Sequence, residues 1–140
     1  MRNIAALFSI LMPGLGQVYN KQFTRGIIFL IIEHFDNAYG KINKAIQLDL
    51  NGFHQQALAT VLYDGMLFYP GFYVYSVWDA WYYAKNGANK KKTAIPFLIG
   101  GYLGELGAIF ASKLPWFPTL IVASLMIIPM VFGMVIFRKQ

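Results

Sequence analysis

The chain has 140 residues, of which 57% are hydrophobic and only 13% charged; 12 Lys and Arg against 6 Asp and Glu give a net charge of +6. A soluble domain usually carries about twice that charged fraction, and this length allows one compact bundle and little else. Cysteine is absent, which excludes a disulfide framework, a thiolate metal site and a cysteine nucleophile.

The cations cluster at the ends of apolar runs, a placement that fits anionic lipid and membrane topology rather than nucleic acid. The opening Met1-Arg2-Asn3 and the apolar residues 4–12 superficially resemble a signal peptide. Pro13-Gly14-Leu15-Gly16-Gln17 stands where a small-residue cleavage site belongs, so the segment is expected to be retained. Nine apolar residues make a helix of about 14 Å, too short to cross a bilayer alone, and Pro13, Gly14 and Gly16 break it. Two placements fit: the N-terminus re-enters the bilayer and returns, or it lies along the interface. In both, Arg2, Lys21 and Arg25 stay on one face.

Residues 26–35 begin a second apolar run that acquires Glu33, His34 and Asp36 at its far end. Only His34 and His54 are present and no HExxH-type spacing occurs, so no metal ligand set and no cofactor is expected. Residues 37–56 are the most polar stretch. Ile42, Ile46, Leu50 and Phe53 recur there at helical spacing, as in an amphipathic helix lying on the membrane or on the bundle. Residues 57–85 form an aromatic-rich span. Asp64 marks its outer boundary, Pro70 is expected to kink it, and Trp78, Trp81, Tyr82 and Tyr83 form an interfacial belt around Asp79. Asp79 is read as an interfacial acid that pairs with Lys85 or caps a neighbouring helix.

Residues 86–92, ending in Lys90-Lys91-Lys92, read as a cytoplasmic loop. Residues 94–137 then form a C-terminal helical hairpin, its two apolar runs at 96–112 and 117–137 separated by a turn at 114–118. Glu105 lies near the middle of the first run, where an ionised carboxylate is expensive unless paired or protonated. It is a proton- or cation-handling acid, a contact to a partner subunit, or a protonated structural acid hydrogen-bonded to a tyrosine hydroxyl or a carbonyl inside the bundle. Gly101, Gly104, Ala108 and Ala111 share one face, and Gly100 with Gly104 makes a GxxxG pair, a groove for a closely packed helix or a partner.

The expected fold is therefore an all-α integral membrane protein, a single domain over 1–140. It has about four transmembrane helices, starting near residues 26, 64, 96 and 117, plus the short N-terminal helix of the 1–36 segment. Both termini fall inside, with Arg2, Lys21, Arg25, Lys85, Lys90, Lys91, Lys92, Arg138 and Lys139; only Lys41, Lys44 and Lys113 fall outside. No phosphate loop, nucleophile elbow or nucleophile–base–orienter set is visible, so no enzymatic activity is expected.

One segment is too patterned for a generic turn. Pro13-Gly14-Leu15-Gly16-Gln17-Val18-Tyr19-Asn20-Lys21-Gln22, followed by Arg25-Gly26-Ile27-Ile28-Phe29-Leu30, resembles the hydrophobic hairpin of small bacterial proteins related to the two-transmembrane-helix domain family. It more closely resembles the N-terminal membrane module of maltose-type sugar ABC transporter permeases. In those, a later span ends in a pattern like Asp79-Ala80-Trp81-Tyr82-Tyr83-Ala84-Lys85. The resemblance covers residues 5–85 and marks Pro13, Gly14, Gly16, Gln17, Tyr19, Asn20, Gln22 and Gly26. It implies a protein of the bacterial inner membrane that works beside a larger permease. The EAA-type loop that docks such permeases on their ATPase has no counterpart, so the chain corresponds to the accessory module and not to a complete permease. An autonomous transporter or channel, acting as a homo-oligomer with Glu105 in its pathway, is the alternative.

Overall fold

The computed structural model describes residues 1–139. Among them the regular structure is entirely helical: α1 (Arg2–Leu11), α2 (Leu15–Tyr19), α3 (Phe23–Gly40), α4 (Ile42–Leu50), α5 (His54–Thr60), α6 (Tyr63–Met66), α7 (Tyr69–Tyr83), α8 (Lys90–Ile109), a 3-10 turn (Ala111–Lys113) and α9 (Pro118–Ile136).

The central element is α7. Its C-terminal half is covered on every side, with Val77, Ala80 and Trp81 fully buried and Val74 and Trp78 nearly so, as expected of a helix that is apolar all round. The core cluster joins these residues to Ala6 of α1, Phe97 of α8 and Met126, Met130 and Met134 of α9. Helix α1 buries Arg2, Ala5, Ala6 and Ser9, the i, i+3, i+4, i+7 stripe of an amphipathic helix, and the small residues on that stripe allow close packing. The chain then turns at Gly14, which has φ +102° and where a Cβ would lie 2.6 Å from the Gly26 carbonyl oxygen. Only glycine satisfies both conditions.

Helix α1 runs antiparallel to α7. Arg2 bonds the carbonyls of Trp81 and Tyr82 at one end, and Ile10 accepts from the Tyr73 hydroxyl further along. After the turn α2 comes back, bringing Gln17 and Asn20 again to the C-terminal half of α7. The N-terminal segment is thus a hairpin folded along the bundle and not across its end. Residues 1–3, the loop after α7 and Arg138 meet at that same end, while α4, α5 and the start of α9 lie at the other.

Three boundaries differ from the sequence expectation. Residues 57–85 are not one kinked span: the chain is non-helical at 61–62 and again at 67–68, and the long helix starts only at Tyr69. Pro70 sits in the first turn of α7, where its missing N–H removes nothing, so it initiates the helix instead of bending it. Lys90, Lys91 and Lys92 belong to the first turn of α8 and not to a loop, because Asn89 caps that helix by accepting from the Lys92 amide at 3.0 Å. The polar 37–56 stretch divides between the end of α3 and α4, with Lys41 in the left-handed conformation between them.

Among the described residues one helix, Pro118–Ile136, is long and apolar enough to cross a membrane. Only 22% of its apolar window is buried, whereas the core helix of a soluble protein would be mostly enclosed. That supports membrane association through α9. The expectation of four spans is not carried by helix length and composition.

Candidate functional site

The N-terminal motif and the Asp79-Ala80-Trp81 motif form one buried polar site. Gln17 is fully buried, and its Nε2 donates to the Asp79 carboxylate at 2.9 Å and to the Ser76 carbonyl at 2.8 Å. The hydroxyl of Ser9 donates to Gln17 Oε1 at 3.1 Å and accepts from the Gly16 amide at 3.2 Å. Asn20 donates to the Ala80 carbonyl at 2.7 Å. The second carboxylate oxygen of Asp79 takes the Arg25 guanidinium at 3.1 Å, and that guanidinium lies 4.6 Å from the centre of the Tyr83 ring. These contacts satisfy the buried side chains of Ser9, Gln17 and Asp79, while Ser76 Oγ beside them is buried without a partner among the described residues.

The glycines explain the approach. Gly16 faces the Ala5 carbonyl, Ser9 Oγ and the Ala80 methyl with no room for a Cβ, and Gly26 receives Val18. Pro13 is fully buried at the turn, while Tyr19 stays half-exposed and stacks on Phe8 at 5.2 Å. Gln22 enters the first turn of α3 through its backbone, with its side-chain oxygen unpartnered among the described residues. The expected partner of Asp79, Lys85, is replaced by Arg25. Asp79 is 1% exposed, so it is a core acid and not an interfacial one. Trp78 and Trp81 are likewise core residues rather than belt residues, because α1 and α8 cover them. Asp64 is exposed near the other end of the bundle.

The small-residue groove of α8 is filled by the chain itself. Gly100 faces the Met126 carbonyl, Gly104 faces Met126 and Pro70, and Gly101 faces Val74, so the glycine stripe is wedged between α9 and α7. Ala108 and Ala111 are also buried, and they line an apolar cavity of about 100 Å³ together with Pro70 and Met126. The expectation of a partner-binding groove is corrected accordingly: close backbone approach is what these residues provide, and the hairpin partner α9 takes it. Glu105 faces α7 as well: its Oε1 lies beside Gly71, 3.6 Å from where a Cβ there would stand, against the first turn of a helix that has no side-chain cap of its own.

Three further sets were missed by sequence reasoning. Arg2 caps the C-terminus of α7 through the carbonyls of Trp81, Tyr82 and Asn86 at 3.3, 2.9 and 3.1 Å. Asp49, fully buried, caps the N-terminus of α9 by accepting from the Thr119 amide at 2.8 Å and from its hydroxyl, and it also binds His54 Nδ1 at 2.6 Å. Burial alone would raise the Asp49 carboxyl, but the bonds from Thr119 and His54 outweigh it and hold its pKa below the ordinary carboxylate value. Thr119, Asp49 and His54 are the residue types of a hydrolytic triad in the wrong order: the acid lies between the hydroxyl and the imidazole, so the histidine does not activate the threonine. Glu33, 6% exposed, accepts from Asn37 and Tyr69, each at 3.2 Å. Its position beside His34 and Asp36 was the only available signal, and that signal was spent on testing for a metal motif.

Compared with known proteins, the chain matches no protein-family model, no curated protein and no solved structure.

Proposed function

We propose that this chain is a small multi-pass protein of the bacterial inner membrane, without enzymatic activity, that assists a sugar-type ABC transporter as an accessory or permease-like subunit. The observation that carries this reading is the interlock of its two permease-like motifs. Gln17 and Asn20 of the first are bonded to Asp79 and Ala80 of the second, which supports reading the two strings as parts of one module.

Multi-pass insertion is supported by the faces that α3, α8 and α9 leave uncovered. Ile27, Ile31 and Phe35, then Leu98 and Tyr102, then Ile128 and Phe132 are exposed over helices about 27–30 Å long. Such continuous apolar surface suits lipid and not water. The N-terminal hairpin would be re-entrant in this setting, because it folds along α7, and both termini would be cytoplasmic with the basic end of the bundle. A permease would be met by the exposed faces of α3 and α9, since the α8 groove is occupied.

The test is a mild-detergent pull-down of the tagged chain from its native membrane, read by mass spectrometry. Stoichiometric recovery of a permease with its ATPase is expected. Recovery of the chain alone, or only as a homo-oligomer, overturns the accessory role and favours autonomous transport.

A further inference from the structure

We propose that the inner end of the bundle holds a phosphate-binding site for an anionic lipid headgroup, in the pocket bounded by Arg2, Lys85 and Arg138. The pocket has a volume of about 310 Å³ and is lined by Met1, Arg2, Asn3, Lys85 and Arg138. Three cations line it and no acid does.

Arg2 makes this more than a basic surface. It is 6% exposed, and among the described residues no carboxylate pairs with it. Its two Nη groups are held by the three carbonyls at the end of α7, and its guanidinium lies 4.8 Å from the centre of the Trp81 ring. Its Nε–H is buried without a partner. Carbonyl dipoles and a ring face soften a buried charge but do not neutralise it. Lys85 and Arg138, both exposed, then bring like charge to the same pocket, an arrangement that repels itself until an anion enters. Guanidinium groups suit phosphate oxygens through paired donors, and an ammonium adds a point charge. The site stands at the end where nine basic residues were assigned to the cytoplasmic face, the leaflet rich in anionic lipid. The membrane reading decides only which phosphate reaches the pocket, a lipid headgroup or a free ion.

The experiment compares the full chain with a Lys85→Gln, Arg138→Gln double variant, both changes at exposed side chains that leave the Arg2 cap intact. Each is reconstituted with phosphatidylglycerol or with phosphatidylcholine, and lipid retention is read by native mass spectrometry. A parallel thermal-shift titration uses inorganic phosphate. Preferential retention of phosphatidylglycerol, weakened about thirtyfold in the double variant, supports the lipid site; two lost cations near a membrane surface account for that factor. Stabilisation by inorganic phosphate that the variant loses, with no lipid preference, supports the same pocket with a free anion as occupant. Equal retention of both lipids together with no phosphate effect, or identical behaviour of the variant, overturns the proposal.

Discussion

Gln17 and Asp79 are 62 positions apart in sequence and share a 2.9 Å hydrogen bond inside a fully enclosed site. The bond joins the turn of a short hairpin to the central helix. It also fixes the carboxylate whose other oxygen receives Arg25. Disturbing either residue strands buried polar atoms of the other, which makes the network the most sensitive point of the fold.

Substitutions in this network are therefore expected to rank by what they leave unpaired. Asp79→Ala should cost about 3 kcal/mol, because the enclosed carboxylate that both Gln17 and Arg25 bond is removed and buried Gln17 loses an acceptor. Gln17→Ala should cost about 2–3 kcal/mol through the orphaned Asp79 oxygen and the Ser9 hydroxyl left without its acceptor. Arg25→Gln should cost about 1–2 kcal/mol: the side chain removed is 41% exposed, but the buried Asp79 carboxylate loses its cation and keeps Gln17. Reversible unfolding in detergent micelles gives the order, and an Arg25 effect as large as that of Asp79 would refute it.

The glycine seam makes a contrast of its own. A Cβ at Gly100 would lie 2.8 Å from the Met126 carbonyl oxygen, whereas one at Gly71 would find only Glu105 Oε1, at 3.6 Å. Gly100→Ala should destabilise by about 1–3 kcal/mol through forced separation of α8 and α9. Gly71→Ala, inside α7, should be neutral or stabilising by up to about 1 kcal/mol. Melting temperatures of the two variants decide the matter.

Glu105 offers a test that separates structure from transport. Glu105→Gln keeps the size and shape of the side chain beside Gly71 and should retain the wild-type melting temperature. Glu105→Ala removes that packing and should cost about 1 kcal/mol. Loss of a measurable proteoliposome flux in the glutamine variant, with stability unchanged, would instead return Glu105 to a pathway.

The link between Asp49 and Thr119 should depend on pH with a definite sign. A carboxyl whose folded pKa is depressed stabilises fully above its unfolded value, about 3.9, and that contribution fades as pH falls through the folded value. Protection of the Thr119 amide, corrected for intrinsic exchange, should be constant from neutral pH down to about pH 5. It should fall only below about pH 4. Asp49→Asn should abolish this acid dependence.

Because the chain has no cysteine, single thiols report depth cleanly. With the hairpin re-entrant, Met12→Cys at its tip should react slowly with a membrane-impermeant maleimide, and Lys21→Cys at its base quickly. Equal fast labelling would place the hairpin on the surface.

Much of the architecture was legible in the residues. Apolar runs bounded by Lys and Arg marked α8 and α9, and Pro13, Gly14 and Gly16 marked the hairpin turn, because backbone geometry at those positions admits few alternatives. The partners were not legible. Local spacing suggested Lys85 for Asp79, yet Arg25 arrives from 54 positions away, brought by the turn between α2 and α3. The break at residues 61–62 was hidden by an unbroken apolar composition. The glycine face of α8 was recognised as a close-packing surface, but no pattern within one helix says whether its neighbour belongs to the same chain. The acid at 49 caps a helix distant in sequence, and capping rules read only adjacent residues.

Helix α7 also has a bearing on where this protein can be divided. Its last carbonyls are closed by Arg2, from the first turn of the chain, and its flank is packed by Gly101 and Gly104 of α8, from beyond the loop at 84–89. Residues 5–85, the stretch resembling a permease module, leave out both. Excised, they would expose bare carbonyls at one end of their central helix and a seam emptied of α8. The C-terminal pair covers that flank from within the same chain.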